Sequence, residues 1–185
     1  MKAVFLDRDG VINRNLADDY VRDEQQFELL PGVVEAMGLL LGAGLCPVVV
    51  SNQAGVGKGL MNREQLARVD AYMKKKLGPG RLLKSYYCTH APGDGCLCRK
   101  PEPGLLLRAS EELGIDPAQS YLVGDSITDL QAGKKTGCQT ILVLTGLGWE
   151  QLGLLKAHEL GRVYVVPGLL EAARLIKCLE EQGGE

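Results

Sequence analysis

A Rossmann-like α/β fold, with three αβα layers built on a central parallel sheet, is predicted from two features of this 185-residue chain. The first is a set of six short apolar runs, "KAVFLD", "CPVVVSN", "SYYCTH", "SYLVGD", "TILVLTG" and "VYVVPG", each ending in polar or turn residues. The second is that helical patterns separate most of them. Continuously apolar strands alternating with amphipathic helices imply a parallel sheet covered on both faces and joined by right-handed crossovers.

The elements follow in order. Lys2 to Asp7 reads as the first strand. "PGVVEAMGLLLGAG" is helical, with Pro31 at an early-turn position and glycine after the apolar stripe. The window Val33 to Val50 is very apolar, but Glu35, three glycines and Pro47 make it a helix, a turn and a buried strand, not a membrane span. "NREQLARVDAYMKKKLG" is a second helix: Asn62 caps it, Gln65 closes a capping box, and lysines gather toward its C-terminal end. Further helices are expected over 103–113, 128–136 and 168–181. No linker, repeat or insert large enough for another domain interrupts the pattern, so residues 1–185 are expected to form a single domain.

Composition narrows the partners. With 45% hydrophobic and 24% charged residues the chain is an ordinary globular one, and a net charge of −2 gives no general pull toward nucleic acid or anionic membrane. "MKAVFLDRDG" turns charged too early for a secretory signal, so a cytoplasmic location is expected. In that reducing setting six cysteines are thiols or metal ligands, not a disulfide framework. Cys46, Cys138 and Cys178 lie apart in apolar surroundings and are expected to be buried. The chain is expected to act as a monomer on a small-molecule partner.

In doubly wound sheets ligands bind beyond the carboxyl ends of the strands. Those ends hold Asp7, Ser51 with Asn52, Cys88 and Asp125. "DRDG" supplies Asp7 and Asp9, one able to attack a phosphorus atom and the other to manage protons, although Asp-x-Asp-Gly also serves as a plain turn and cap signal. "GDSITD" adds Asp125 and Asp129 to the same rim, and such a cluster suits Mg²⁺, which takes a few carboxylate oxygens plus water and phosphate. "SNQAGVGKG" lacks the first glycine of a nucleotide P-loop, and Lys58 is followed by Gly59, so that reading fails. Ser51, Asn52 and Gln53 can instead hydrogen-bond a phosphate or its ester.

"CTHAPGDGCLCRKP" brings together Cys88, His90, Cys96 and Cys98, the Cys₃His inventory of a structural zinc site with no open position. A Cys96–Cys98 disulfide would be badly strained. Arg99 and Lys100 come directly after the last ligand, so a zinc-stapled loop would aim two cations.

Taken together, "DRDGVIN", "SNQAGVGKG", the cysteine loop with "CRKP" and "VGDSITDL" resemble the haloacid dehalogenase (HAD) superfamily of phosphatases, in the group of heptose bisphosphate and histidinol-phosphate phosphatases. The resemblance runs from Lys2 to Gly146. It implies a HAD fold without a large cap domain, Asp7 as nucleophile, Asp9 as acid/base, and Ser51 and Lys100 as partners of the phosphate charge. It also implies Mg²⁺ on Asp7, the main-chain carbonyl of Asp9 and Asp125, with Asp129 in support. Asn52, Gln53 and Arg99 would orient the substrate, and the zinc ligands carry over directly. Val11 stands where many relatives have Thr, and Ser126 where some heptose enzymes have Lys.

Hydrolysis of a sugar bisphosphate at a heptose 7-phosphate is the leading expectation, helped by Arg99, Lys100, Lys58 and Arg14. Histidinol-phosphate hydrolysis is the alternative and needs a carboxylate facing an amine, from Asp18, Asp19 or Glu24. A non-catalytic phosphosugar-binding module is the third reading, and retention of both Asp7 and Asp9 argues against it.

Overall fold

The computed structural model describes residues 1–17, 19–155 and 162–182. Six strands, β1 (Ala3–Leu6), β2 (Cys46–Asn52), β3 (Lys84–Cys88), β4 (Tyr121–Gly124), β5 (Gln139–Val143) and β6 (Val163–Val166), form an all-parallel sheet in the order β3-β2-β1-β4-β5-β6. Each coincides with one of the six apolar runs. Strand order reverses between β1 and β4, which opens a crevice at their carboxyl ends.

Alternation along β1 shows how the layers form. Val4 and Leu6 face one cluster, with Val33, Met37 and Leu40 of α1 (Val33–Gly42), Val69 and Met73 of α3 (Arg63–Leu77), and Ala172, Ala173 and Ile176 of α7 (Leu169–Gln182). Ala3 and Phe5 face the other, with Leu105, Leu106 and Ala109 of α4 (Gly104–Leu113) and Ala132 of α5 (Ile127–Thr136). Every β1 side chain is fully buried, as period-two alternation inside a two-sided sheet requires.

The capping box on α3 is formed: Gln65 N–H donates to Asn62 Oδ1 and Asn62 N–H to Gln65 Oε1, both at 2.8 Å. Three details differ from expectation. Pro31 precedes the first helix, whose N-cap is Gly32 at a φ of 78°, a left-handed conformation that favours glycine. Cys178 is exposed and Cys46 only half-buried, so of the three scattered cysteines Cys138 alone is buried. Two short helices, α2 (Ala54–Gly57) and α6 (Gly148–Leu152), lie in loops whose glycines hide any periodic pattern. No helix among the described residues is long and apolar enough to cross a membrane.

Candidate active site

Asp7 leaves the end of β1 with its N–H still bonded to the Val123 carbonyl of β4, at 3.1 Å. The chain then turns tightly: the Arg8 carbonyl accepts from Ile12 N–H at 2.8 Å and Asn13 N–H at 3.1 Å, while Gly10 sits at a φ of 83°. Gly10 meets Gly146 around the Asp125 carboxylate, and a Cβ on either would overlap Asp125 Oδ2. That oxygen accepts the Leu147 N–H at 2.9 Å, and Thr145 Oγ1 donates to the Gly10 carbonyl at 2.6 Å.

Lys100 reaches in from the opposite side with its side chain almost wholly buried. Its Nζ lies 3.0 Å from Asp7 Oδ1 and 2.5 Å from Asp129 Oδ1, and donates to the Val50 carbonyl at 2.8 Å. Asn52 fastens the main chain there: its Nδ2 donates to the Lys100 carbonyl and its Oδ1 accepts the Lys100 N–H, each at 3.0 Å. Asp129 is also the third residue of α5, where its Oδ2 accepts from Ser126 N–H at 3.2 Å, the bond of a capping box, and from Ser126 Oγ at 2.6 Å. One side chain thus both orders a helix start and faces the buried lysine.

These charges decide one another's protonation. Burial raises the Asp7 pKa, Lys100 pulls it down, and Asp129 adds to the rise. Burial, then the charges of Asp7 and Asp129, push Asp125 up to about 8. Burial opposes the Lys100 ammonium, but Asp129 and Asp7 outweigh it and keep its pKa above the usual lysine value. Oxygens of Asp7, Asp125 and Asp129 lie within 4.8 Å of one another. Three carboxylates share a single buried ammonium, an excess of hard oxygen donors that fits a divalent cation.

The zinc expectation meets an equally definite geometry. Cys88 Sγ lies 3.6 Å from Cys96 Sγ and 3.3 Å from Cys98 Sγ; Cys96 and Cys98 are 3.6 Å apart; His90 Nδ1 is 3.6 Å from Cys88 and 3.2 Å from Cys98. A tetrahedron with metal–sulfur bonds of about 2.3 Å has edges of about 3.8 Å, so the four atoms are arranged as ligands around one centre. Burial and its neighbouring thiols push Cys98 up to about 12. Cys98 therefore keeps its proton at neutral pH unless a cation stands beside it.

Above the strand ends lies a cavity of about 320 Å³, lined by Asp7, Asp9, Ser51, Asn52, Lys100 and Asp125 together with Asn15, Asp19, Tyr20, Ser126, Thr128, Leu147 and Gln151. Gln53 and Arg99 are not in its wall. Gln53 is fully buried, its Nε2 donating to Asp9 Oδ2 at 2.8 Å and its Oε1 accepting from Arg8 at 3.0 Å, so its polar atoms are turned to protein groups and not to a ligand. Arg14 is exposed and paired with Glu28, and Lys58 stands over the Tyr20 ring at 5.4 Å; neither lines the cavity. Asp19 lines it and Glu24 does not, while Asp18 lies outside the described residues. Sequence reasoning missed Arg8, Asn13 and Gln151. Arg8 reads as a charged spacer, and only its place between two strand-end aspartates hints otherwise.

Comparison with known proteins decides the family. Residues 97–172 match the model of the HAD-hydrolase-like family. A D-glycero-β-D-manno-heptose-1,7-bisphosphate 7-phosphatase from Pseudomonas aeruginosa is 39% identical over 152 residues, covering 81% of this chain and 85% of that one. The chain belongs to the HAD phosphatases. Within that family, the Haemophilus ducreyi protein of the same name is 41% identical over 166 residues, covering 84% and 90% of the two chains. The crystal structure of D,D-heptose 1,7-bisphosphate phosphatase from B. bronchiseptica, complexed with magnesium and phosphate, superposes with a TM-score of 0.87 at 34% identity, covering 98% of this chain and 99% of that one. As a HAD phosphatase this chain is a phosphoric monoester hydrolase.

Proposed function

We propose that the protein is a Mg²⁺-dependent phosphatase acting on D-glycero-D-manno-heptose 1,7-bisphosphate at the 7-phosphate. The observation that carries the chemistry is Asp7 standing beside Lys100 and within ligand distance of Asp125 and Asp129 at the floor of one open cavity. The substrate comes from the relatives, whose names specify this heptose bisphosphate at 35 to 41% identity.

An Asp7 oxygen attacks phosphorus and the bond to the leaving oxygen breaks, while the Asp9 carboxyl gives its proton to that oxygen. Asp9, now a carboxylate, takes a proton from water as the water oxygen attacks the aspartyl-phosphate, and the bond from phosphorus to Asp7 breaks to release phosphate. Lys100 and the Ser51 hydroxyl meet the phosphoryl oxygens. Asp7, Asp125 and the Asp9 main-chain carbonyl would hold Mg²⁺, with Asp129 in support. The ion supplies neutralisation of the charge shared by nucleophile and phosphate. Cys88, His90, Cys96 and Cys98 would hold a structural Zn²⁺ that fixes the loop leading to Arg99 and Lys100.

Asp19 is the observation in favour of histidinol phosphate, since it puts a carboxylate in the cavity wall. Both its oxygens are taken by Arg22 Nη2, at 2.5 and 2.6 Å, which lowers its value to an amine and favours the sugar. The deciding experiment is competition among heptose 1,7-bisphosphate, fructose 1,6-bisphosphate and histidinol phosphate with Mg²⁺ present. A kcat/KM for histidinol phosphate above that for the heptose bisphosphate would overturn the substrate assignment.

A further inference from the structure

Arg8 is an arginine with no exposed surface, lodged between the two aspartates that face the cavity. Burying a guanidinium is costly unless its charge is met. Here Asp9 meets it. Arg8 Nε and Nη2 donate to Asp9 Oδ1 at 3.3 and 3.1 Å, and Nη2 also reaches Oδ2 at 3.0 Å.

The other contacts keep the guanidinium from moving. Gln53 bridges the pair, accepting from Arg8 Nη2 through Oε1 and donating to Asp9 Oδ2 through Nε2. The Arg8 guanidinium carbon lies 5.9 Å from the centroid of the Tyr87 ring, and the Tyr87 hydroxyl is anchored by a 2.7 Å bond to Asp70 Oδ1. Asn13 Nδ2 closes the remaining side of Asp9 at 2.8 Å.

We infer that Arg8 is the positioning residue for Asp9: its buried fork, backed by Gln53 and Tyr87, holds the acid/base carboxyl at the cavity wall in the orientation that serves the leaving oxygen. The inference rests on the proposed function, and specifically on Asp9 as acid/base. Arg8 does not line the cavity, so it acts through Asp9 and makes no contact with substrate. Its sharing of Nη2 between both oxygens restrains the carboxyl plane.

A positioning role differs from a packing role in its dependence on the leaving group. An alkoxide needs the proton that Asp9 delivers, whereas p-nitrophenolate departs without one. The value of kcat/KM reports steps up to departure of the leaving group and excludes hydrolysis of the aspartyl-phosphate. Arg8→Met should therefore lower kcat/KM for heptose 1,7-bisphosphate by about tenfold or more and for p-nitrophenyl phosphate by less than about threefold. Inhibition by inorganic phosphate should stay within about twofold, because no phosphate contact is lost.

Equal losses on both substrates, or no loss on either, would overturn the inference while leaving the proposed function intact. If wild-type protein with Mg²⁺ hydrolysed neither substrate, the proposed function would fall and this inference with it. Should Arg8→Met not fold, Gln53→Met removes the bridge between Arg8 and Asp9 and must show the same unequal loss; an equal loss there overturns the assignment as well.

Discussion

Two glycines determine whether Asp125 can stand where it does. Gly10 and Gly146 both have positive φ, 83° and 58°, and both would drive a Cβ into the Asp125 carboxylate. Gly146→Ala should therefore cost both stability, by about 1 to 3 kcal/mol, and activity, because the displaced carboxylate is a proposed metal ligand. Thermal melting and Mg²⁺ titration of turnover would check it; unchanged Mg²⁺ dependence would remove Asp125 from the ligand set. Asp7→Asn is expected to abolish turnover, since an amide cannot form the aspartyl-phosphate. Asp9→Asn should accumulate phosphorylated protein when given an activated aryl phosphate, because water then lacks its base. Acid-quench labelling reads both, and wild-type turnover in Asp7→Asn protein free of deamidation would identify a different nucleophile.

At the scale of elements, legibility followed periodicity. The strands were readable because each is a short run rich in apolar residues, fully buried in β1 and β4 and only partly buried in the edge strands β3 and β6, and α3 because its cap and stripe are local signals. The short helices α2 and α6 were not, since neither spans enough residues to show a period. The same division holds in the site. Asp7, Ser51 and Asp125 could be placed because strand ends converge, Lys100 because it follows the cysteine loop directly, and the Cys88, His90, Cys96 and Cys98 cluster because of its spacing. Gln53 read as a substrate contact, yet its burial turns it toward Arg8 and Asp9, an orientation that depends on a partner 45 residues away. Two variants separate structural from functional elements. Asn62→Ala removes one half of the α3 capping box and should cost about 1 kcal/mol, or about 2 to 4 °C in melting temperature, without altering kcat/KM. Cys98→Ser should lower zinc content from about one per chain and reduce turnover, since the next residues carry Lys100 to Asp7. Full zinc retention in that variant would exclude Cys98 as a ligand.

The whole molecule sets two clusters of different character on one rim: a soft cysteine–histidine cluster in the loop after β3 and a hard carboxylate cluster that opens to solvent. Their coupling to pH differs in consequence. Asp125 has a pKa of about 8 in the folded protein against 3.8 when unperturbed, because burial and the charges of Asp7 and Asp129 oppose its ionisation. Between those values the folded chain holds a proton that the unfolded chain has released, so this group makes metal-free protein less stable as pH rises from about 4 to about 8. A divalent cation acts in the opposite direction: it binds the ionised form and must displace that proton at low pH. Added Mg²⁺ should therefore raise the melting temperature more at about pH 8 than at about pH 5.5, by about 5 °C or more at saturating ion. Briefly EDTA-treated protein is the sample, because zinc held as proposed in a closed four-ligand site would dissociate slowly and be retained. Asp125→Asn should flatten both the pH dependence of the metal-free melting and the Mg²⁺ shift. An equal Mg²⁺ shift at the two pH values in the wild type would show that the ion does not compete with the Asp125 proton, and would move the metal away from the crevice between β1 and β4.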